Sequence, residues 1–111
     1  MFQAMQEPGL DRSEWEAEWQ GLEDVMADAP SEALSDLDDL VARMLESRGF
    51  APNDPIASEG DDPEVMAEFR AAREVRQRVD AGEDVDPGDI ASAINGYRAL
   101  YEHIISERSA P

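Results

Sequence analysis

The densest group of potential metal ligands lies in the segment DAGEDVDPGDI, residues 80–90, which holds five carboxylates. Helix-like sequence flanks the segment on both sides, which is also the plan of a calcium-binding hand. That motif needs oxygen ligands at loop positions 1, 3, 5, 7 and 9, a glycine at 6 and a glutamate at 12. Counting from Asp84, Gly88 stands at position 5, Asp89 at position 6 and Asn95 at position 12. The pattern fails where it is most specific, so neither a calcium site nor any other cofactor is expected.

The sequence contains no recognisable catalytic set. Cysteine is absent, and the one histidine, His103, falls off the apolar face of its helix on a helical wheel. The Glu-x-x-His signature of di-metal bundles is missing because residue 100 is leucine. No glycine-rich phosphate loop is present. Carboxylates are abundant, but no pair stands out for acid–base work, so no catalytic residue is predicted and an enzyme is not expected.

Two tryptophans are candidates for a protein interface. Trp15 and Trp19 stand four residues apart on one face of the first predicted helix, flanked by glutamates. Aromatic residues at this spacing are usually core residues. The alternative is an exposed aromatic anchor on an acidic helix, of the kind that docks into the groove of a partner.

Three arginines are the second group of interface candidates. On a helical wheel Arg76 falls inside the apolar stripe of the third predicted helix, and Arg73 lies at its edge, as Arg98 does in the fourth. An arginine on an apolar face needs a partner or an exit to water. One interpretation is an internal ion pair with an acid of the first or second helix. The other is that this face lines a groove or a dimer interface, where arginine is enriched.

The charge of the chain is strongly negative. Its 111 residues carry 27 acids against nine basic residues, all of them arginine, for a net charge of −18. Such a surface repels nucleic-acid backbones and anionic lipids, so neither direct nucleic-acid binding nor membrane binding is expected. It attracts a basic protein. The alternative is that the acidity reflects the ionic environment of a bacterial or archaeal host and serves solubility.

Apolar residues recur at helical spacing in four segments, and no segment shows the alternation typical of a strand. The predicted helices span residues 14–27, 32–47, 63–80 and 87–106. The expected fold class is all-α: a small four-helix bundle-like single domain over residues 1–111. Residues 50–62 are predicted to form a mobile loop. Residues 1–12 and 107–111 are expected to be loosely ordered.

Local signals fix the predicted helix ends. The residues predicted to cap helix N-termini are Ser13, Ser31, Asp62 and Asp86. Asp36, Asp38 and Asp39 are interpreted as acids tolerated by the dipole of the second helix. The residues predicted to close the second and third helices are Gly49, followed by Phe50, and Gly82. Phe50 and Ile56 are expected to pin the 50–62 loop to the core. Gly96 either permits a close helix approach or is a neutral substitution.

These features favour a small, acidic, non-catalytic helical protein that acts by protein–protein interaction in the cytoplasm. Two forms of this hypothesis stay open: an immunity-type or antitoxin-like inhibitor of a basic effector, and a mimic of nucleic acid. The alternative is a self-associating protein, a homodimer formed by the fourth helix and the Arg73/Arg76 face. A carboxylate-based enzyme or enzyme subunit is the third hypothesis.

Overall fold

The computed structural model describes the backbone of residues 8–54, 56 and 60–109, and the side chains of residues 12–54, 56 and 60–106. It contains four helices: α1 (Pro8–Asp28), α2 (Pro30–Ser47), α3 (Pro63–Asp80) and α4 (Pro87–Ser109). No strand is present in these residues. The all-α, four-helix prediction is therefore confirmed. Within the same residues, no helix is long and apolar enough to cross a membrane.

The helices alternate in direction around a central pair. Helices α2 and α4 pack against each other, α1 packs mainly on α2, and α3 packs mainly on α4. The central helices run parallel, because Arg48 at the end of α2 donates a 2.8 Å hydrogen bond to the carbonyl oxygen of Ile104 near the end of α4. The fully buried part of the core lies at their junction and includes Leu34, Leu37, Leu40, Met44, Phe69 and Tyr97.

Several helix ends follow the predicted signals. Asp62 Oδ1 accepts hydrogen bonds from the backbone N–H groups of Glu64 and Val65, as expected of an N-cap. Asp86 Oδ1 accepts one from Gly88 N at 2.8 Å. Gly49 and Gly82 have φ angles of 93° and 83°, the left-handed conformation that glycine adopts without strain.

The end of α2 has the predicted hydrogen-bond pattern. Gly49 N donates to Glu46 O and Phe50 N donates to Leu45 O, each at 3.0 Å, which is a Schellman motif. Phe50 packs against the core, as expected. Ile56 is 80% exposed, so the expectation that it pins the loop was wrong. Residues 55 and 57–59 lie outside the described residues, and the mobility of the 50–62 loop stays a prediction.

Three predicted boundaries were wrong, two of them because proline was not taken as a first helical residue. Helix α1 begins at Pro8 rather than at 14, so Ser13 lies inside the helix and caps nothing. Helix α2 begins at Pro30, and Ala29 rather than Ser31 occupies the N-cap position. Proline is favoured at N1 because the helix requires no hydrogen bond from its nitrogen there. Helix α4 continues to Ser109 beyond the predicted end at 106. The backbone of residues 8–12 and 107–109 is helical. Their loose order stays a prediction, and residues 1–7 and 110–111 lie outside the described residues.

Gly96 marks a close approach between α3 and α4. A Cβ atom at this position would lie 3.6 Å from the Cβ of Ala72 and 3.3 Å from Glu68 Oε2. The structure therefore agrees with the interpretation that Gly96 permits a close approach between helices. The close approach brings α4 near enough to α3 for Tyr97, one residue further on, to pack edge-on against Phe69 with ring centroids 6.1 Å apart.

Candidate interaction surface

Trp19 is a core residue rather than an exposed anchor. It is 3% exposed, and its ring stacks on that of Tyr101 with centroids 4.3 Å apart. The indole Nε1 donates a 3.0 Å hydrogen bond to Glu23 Oε2, which satisfies its one polar atom. The Arg98 guanidinium lies 5.6 Å from the Trp19 ring centroid and 3.5 Å from the same Glu23 oxygen. Trp19 and Arg98 therefore belong to one packing unit that joins α1 to α4.

Trp15 is only partly buried and packs at the edge of the core. The Arg43 guanidinium lies 5.7 Å from its ring centroid. Arg43 in turn pairs with Glu18 of α1 and, at 3.0 Å, with Asp39 one turn earlier in α2. The hydrogen bond with Glu18 raises the pKa of Arg43 above its usual value. The Arg43 guanidinium on α2 thus covers part of the Trp15 ring.

Arg73 forms the internal ion pair that was one of the two interpretations of the arginines. Its Nε and Nη2 atoms lie 3.1 and 2.7 Å from the two oxygens of Asp38, a bidentate arrangement between α3 and α2. Asp38 is 5% exposed. The guanidinium also lies 4.5 Å from the Phe69 ring centroid.

Two further side chains complete the buried cluster around Asp38. Tyr97 of α4 donates a 2.6 Å hydrogen bond to Asp38 Oδ2. Burial raises the pKa of Tyr97, and the hydrogen bond to the carboxylate raises it further. The Nε atom of Arg76 lies 3.5 Å from the same oxygen, and its Nη1 donates to Asp80 at 2.7 Å. Burial lowers the pKa of Arg76. The hydrogen bond with Asp80 and the charges of Asp38 and Asp80 together have a larger effect, so the pKa is raised overall.

The cluster holds three helices and the start of the 50–62 loop in one arrangement. Arg73 also contacts the loop: its Nη1 atom donates hydrogen bonds to Asn53 Oδ1 at 2.8 Å and to the carbonyl oxygen of Pro52 at 3.3 Å. The side chains of Arg73 and Arg76 are 19% and 21% exposed. Arg73 donates hydrogen bonds from Nε, Nη1 and Nη2 to groups within the chain. Arg76 donates from Nη1 to Asp80, whereas its buried Nε has no hydrogen-bond partner among the described residues.

Asp38 and Tyr97 were not identified as polar partners from the sequence. Asp38 was interpreted as an acid in the favourable half of the α2 dipole, yet it is the one charged residue that α2 buries. A signal was present: Leu34 and Val41 stand four residues before it and three after it, which places Asp38 inside the apolar face. A buried acid at such a position requires a cation or a hydrogen-bond donor from another helix.

Most carboxylates of the 80–90 segment are engaged in ordinary helix-end contacts. Asp80 pairs with Arg76, Glu83 with Arg78 at 3.2 Å, and Asp86 caps α4. Val85 is 8% exposed and packs inward. Among the side chains that the structure describes, no group of three His, Cys, Asp or Glu residues is placed to hold a metal ion.

A second set of acids lies where α1 meets α2, and it has no such contacts. This acidic corner consists of four exposed carboxylates at four-residue intervals: Asp24, Asp28, Glu32 and Asp36. Within the described part of the chain, none of the four pairs with an arginine. Like charges four residues apart on a helix are destabilising by about 0.2–0.5 kcal/mol per pair, and the corner contains one such pair on each helix. Asp28 also lies in the last turn of α1, which has no basic residue and where the helix dipole disfavours an acid.

An apolar groove adjoins the acidic corner. Its volume is about 440 Å³, and it lies between the α1–α2 corner and the first turns of α4. The lining residues are Met26, Pro30, Ser31, Pro87, Ile90, Ala91, Ile94 and Asn95. Exposed acids stand within two residues of lining positions at three helix ends: Asp28, Glu32 and Asp86. The groove thus combines an apolar floor with a border of carboxylates.

Comparisons with protein-family models, with curated proteins and with solved structures gave no significant match. The class defined by the structure is therefore a small acidic four-helix domain. Its function has to be argued from the distribution of its charges and apolar surface.

Proposed function

We propose that this protein acts without catalysis, by binding a basic protein partner through its acidic surface. The observation that supports this most strongly is the acidic corner. Among the side chains that the structure describes, six arginines form ion pairs with described carboxylates: Arg12, Arg43, Arg73, Arg76, Arg78 and Arg98. The four carboxylates of the corner, by contrast, pair with no described arginine, and each lies four residues from a like charge on its own helix, which costs stability. Charges that weaken the fold of the free protein are candidates for a role in a complex.

The electrostatics of the chain suit this role. A net charge of −18 speeds encounter with a cationic surface and repels nucleic acids and anionic membranes. A basic partner would supply the cations that the corner lacks. Both an inhibitor of a basic effector and a mimic of nucleic acid would work in this way. They differ in which protein is bound rather than in how this protein binds it.

Self-association through the Arg73/Arg76 face has less support. Both side chains are mostly buried and bind Asp38. Two copies of the chain would also bring together surfaces of the same charge. A monomer in light scattering at high micromolar concentration would remove this alternative.

Affinity capture from the native host tests the proposal with two variants of equal charge. The corner variant is Asp24→Asn/Asp28→Asn/Glu32→Gln/Asp36→Asn. The control variant is Glu14→Gln/Glu64→Gln/Glu74→Gln/Glu102→Gln, at four exposed positions outside the corner. Each replaces four of the 27 acids and so changes the net charge from −18 to −14. Retained proteins are identified by mass spectrometry at low and at high salt.

We expect the unaltered protein and the control variant to retain basic proteins at low salt, and the corner variant to lose them. High salt should release them from the unaltered protein and from the control variant, because exposed charges are screened within about 8 Å at physiological ionic strength. If the unaltered protein retains nothing basic at low salt, the proposed function is wrong. If both variants lose the partner equally, binding depends on total charge and the corner has no special role.

A further inference from the structure

We propose that the groove beside the acidic corner receives an apolar side chain from a cationic amphipathic helix of the partner. This inference rests on the proposed function and adds to it the place of contact and the chemistry of the bound segment. The volume of about 440 Å³ falls in the range of about 300–1,000 Å³ typical of sites that enclose ligand groups. Ala91 and Asn95 are exposed on the open side, so a side chain can enter without a rearrangement of the core.

The charges around the groove favour a cation. Asp28 ends α1, Glu32 lies in the first turn of α2, and Asp86 precedes the first residue of α4. Together they carry three formal negative charges, whereas the N-termini of α2 and α4 supply only about +0.5 each. The border is therefore net negative even though two helices begin there.

One cation lies close to the groove and is already paired. Arg98 Nη2 is 3.7 Å from the sulfur of Met26, a lining residue, and Arg98 Nη1 is 3.5 Å from Glu23 Oε2. It stands on the side of Trp19, away from the first turn of α4. Arg98 therefore does not neutralise the carboxylates at the start of α2 and α4.

A basic amphipathic helix matches both features at once. On such a helix, residues three and four apart are neighbours at about 5–6 Å, so lysines or arginines flank an apolar anchor. The anchor fills the groove while the cations reach the bordering carboxylates, the helix-in-groove mode of recognition. A second copy of this chain fits poorly, because it would bring the same carboxylates to the same place.

The test uses a defined probe, a fluorescein-labelled 18-residue helical peptide of leucine and lysine, with binding measured by anisotropy at low salt. The groove variant is Ala91→Arg, which places a long cationic side chain at the groove opening. The matched control is Ala67→Arg, an exposed alanine of α3 that does not line the groove. Both substitutions change the net charge equally, and both replace alanine by another good helix former. Asn95→Arg is a second groove variant at an exposed position.

We expect Ala91→Arg and Asn95→Arg to weaken peptide binding about tenfold or more, which corresponds to about 1.4 kcal/mol, and Ala67→Arg to weaken it by less than about threefold. A second peptide, with every leucine replaced by glutamine at unchanged charge, should lose most of its affinity, because it has no anchor for the groove. Circular dichroism melting of each variant verifies that the fold is intact.

The outcomes separate the two proposals. If the leucine peptide binds in a salt-sensitive manner but all three arginine variants weaken it equally, the groove is not the site and the proposed function still stands. Equal binding of the leucine and glutamine peptides would likewise overturn the groove assignment. If the leucine peptide does not bind the unaltered protein even at low salt, both proposals fail together.

Discussion

Removal of the Asp38 carboxylate should destabilise the protein more than removal of any exposed acid. In Asp38→Ala, Arg73 loses two charge-assisted hydrogen bonds and Tyr97 loses its acceptor at 2.6 Å. Loss of one partner from a buried ion pair costs about 3–5 kcal/mol. Here the two arginine side chains are about one-fifth exposed to solvent. Arg73 retains Asn53 as a partner, and Arg76 retains Asp80. We therefore expect the lower end of that range, about 3 kcal/mol.

Urea unfolding followed by circular dichroism measures this cost. With a slope of about 1.5 kcal/mol per molar urea, 3 kcal/mol lowers the unfolding midpoint by about 2 M. Asp39→Ala is the matched control one residue along α2. Its side chain is 70% exposed and pairs with Arg43 on the surface, so its removal should cost about 0–1 kcal/mol. The two variants share helix, residue type and substitution, and they differ in burial and in their partners.

A double-mutant cycle with Arg73→Met sharpens the test. The methionine removes the cation but keeps an apolar side chain against Phe69. Replacing both charged partners of a buried pair is often close to neutral, so Asp38→Leu/Arg73→Met should be more stable than Asp38→Leu, the single variant that completes the cycle with Arg73→Met. We expect a coupling energy above about 1.5 kcal/mol between positions 38 and 73. If Asp38→Ala costs no more than Asp39→Ala, or if the coupling is near zero, the cluster does not hold the helices together.

Three further predictions follow from other contacts. Burial and the hydrogen bond to Asp38 raise the pKa of Tyr97. The stability that Tyr97 contributes is therefore complete below the unfolded-state pKa of about 10 and is lost as pH rises above it. Above pH 10 the free energy of unfolding should consequently fall less steeply in Tyr97→Phe than in the unaltered protein. Gly96→Ala should raise the free energy of unfolding by about 0.5–1 kcal/mol in urea titrations, because alanine costs less conformational entropy than glycine within a helix. The added methyl group can be accommodated, since its close neighbour, Glu68 Oε2, is the end of a flexible side chain. A decrease would mean that the close approach itself requires glycine. Asp28→Asn should raise the free energy of unfolding by about 0.3–1 kcal/mol in the same titrations, because it removes an acid from the last turn of α1, where the helix dipole disfavours it. An unchanged free energy of unfolding would show that this acid is not costly and would weaken the proposed function.

Helices α3 and α4 could be predicted almost completely because their boundary signals are local. Asp62 and Asp86 precede prolines at the first helical positions, and both cap as expected. The same proline rule applied to Pro8 and Pro30 would have located the starts of α1 and α2. At Pro30 the helix stop was identified, but the same residue also begins the next helix after a single intervening residue. The prediction treated Pro30 only as the end of the first helix and not as the first residue of the second.

The contacts between helices could be predicted only in outline. The helical wheel showed that Arg73 and Arg76 needed a partner, and an acid of the first or second helix was expected. Which acid supplies it depends on the register of α2 against α3, and periodicity within one helix contains no information about that register. The groove was not predicted, because it forms where the α1–α2 corner meets the start of α4, which lies more than fifty residues further along the sequence.

The protein uses carboxylates in two opposite ways, and the contrast bears on the origin of its charge. Asp38 is buried and is satisfied by donors from two other helices, whereas the acidic corner is exposed and pairs with no arginine whose side chain the structure describes. Selection for solubility alone would place acids as readily in the first turns of helices, where the dipole favours them. It gives no reason for an acid in the last turn of α1 or for like charges at four-residue spacing. A basic partner gives such a reason, because binding converts the repulsion within the corner into attraction across an interface. Neutralising Asp24 and Asp28 at the end of α1 should therefore stabilise the free protein and weaken the complex, whereas neutralising Glu64 in the first turn of α3 should slightly destabilise the free protein and leave the complex unchanged.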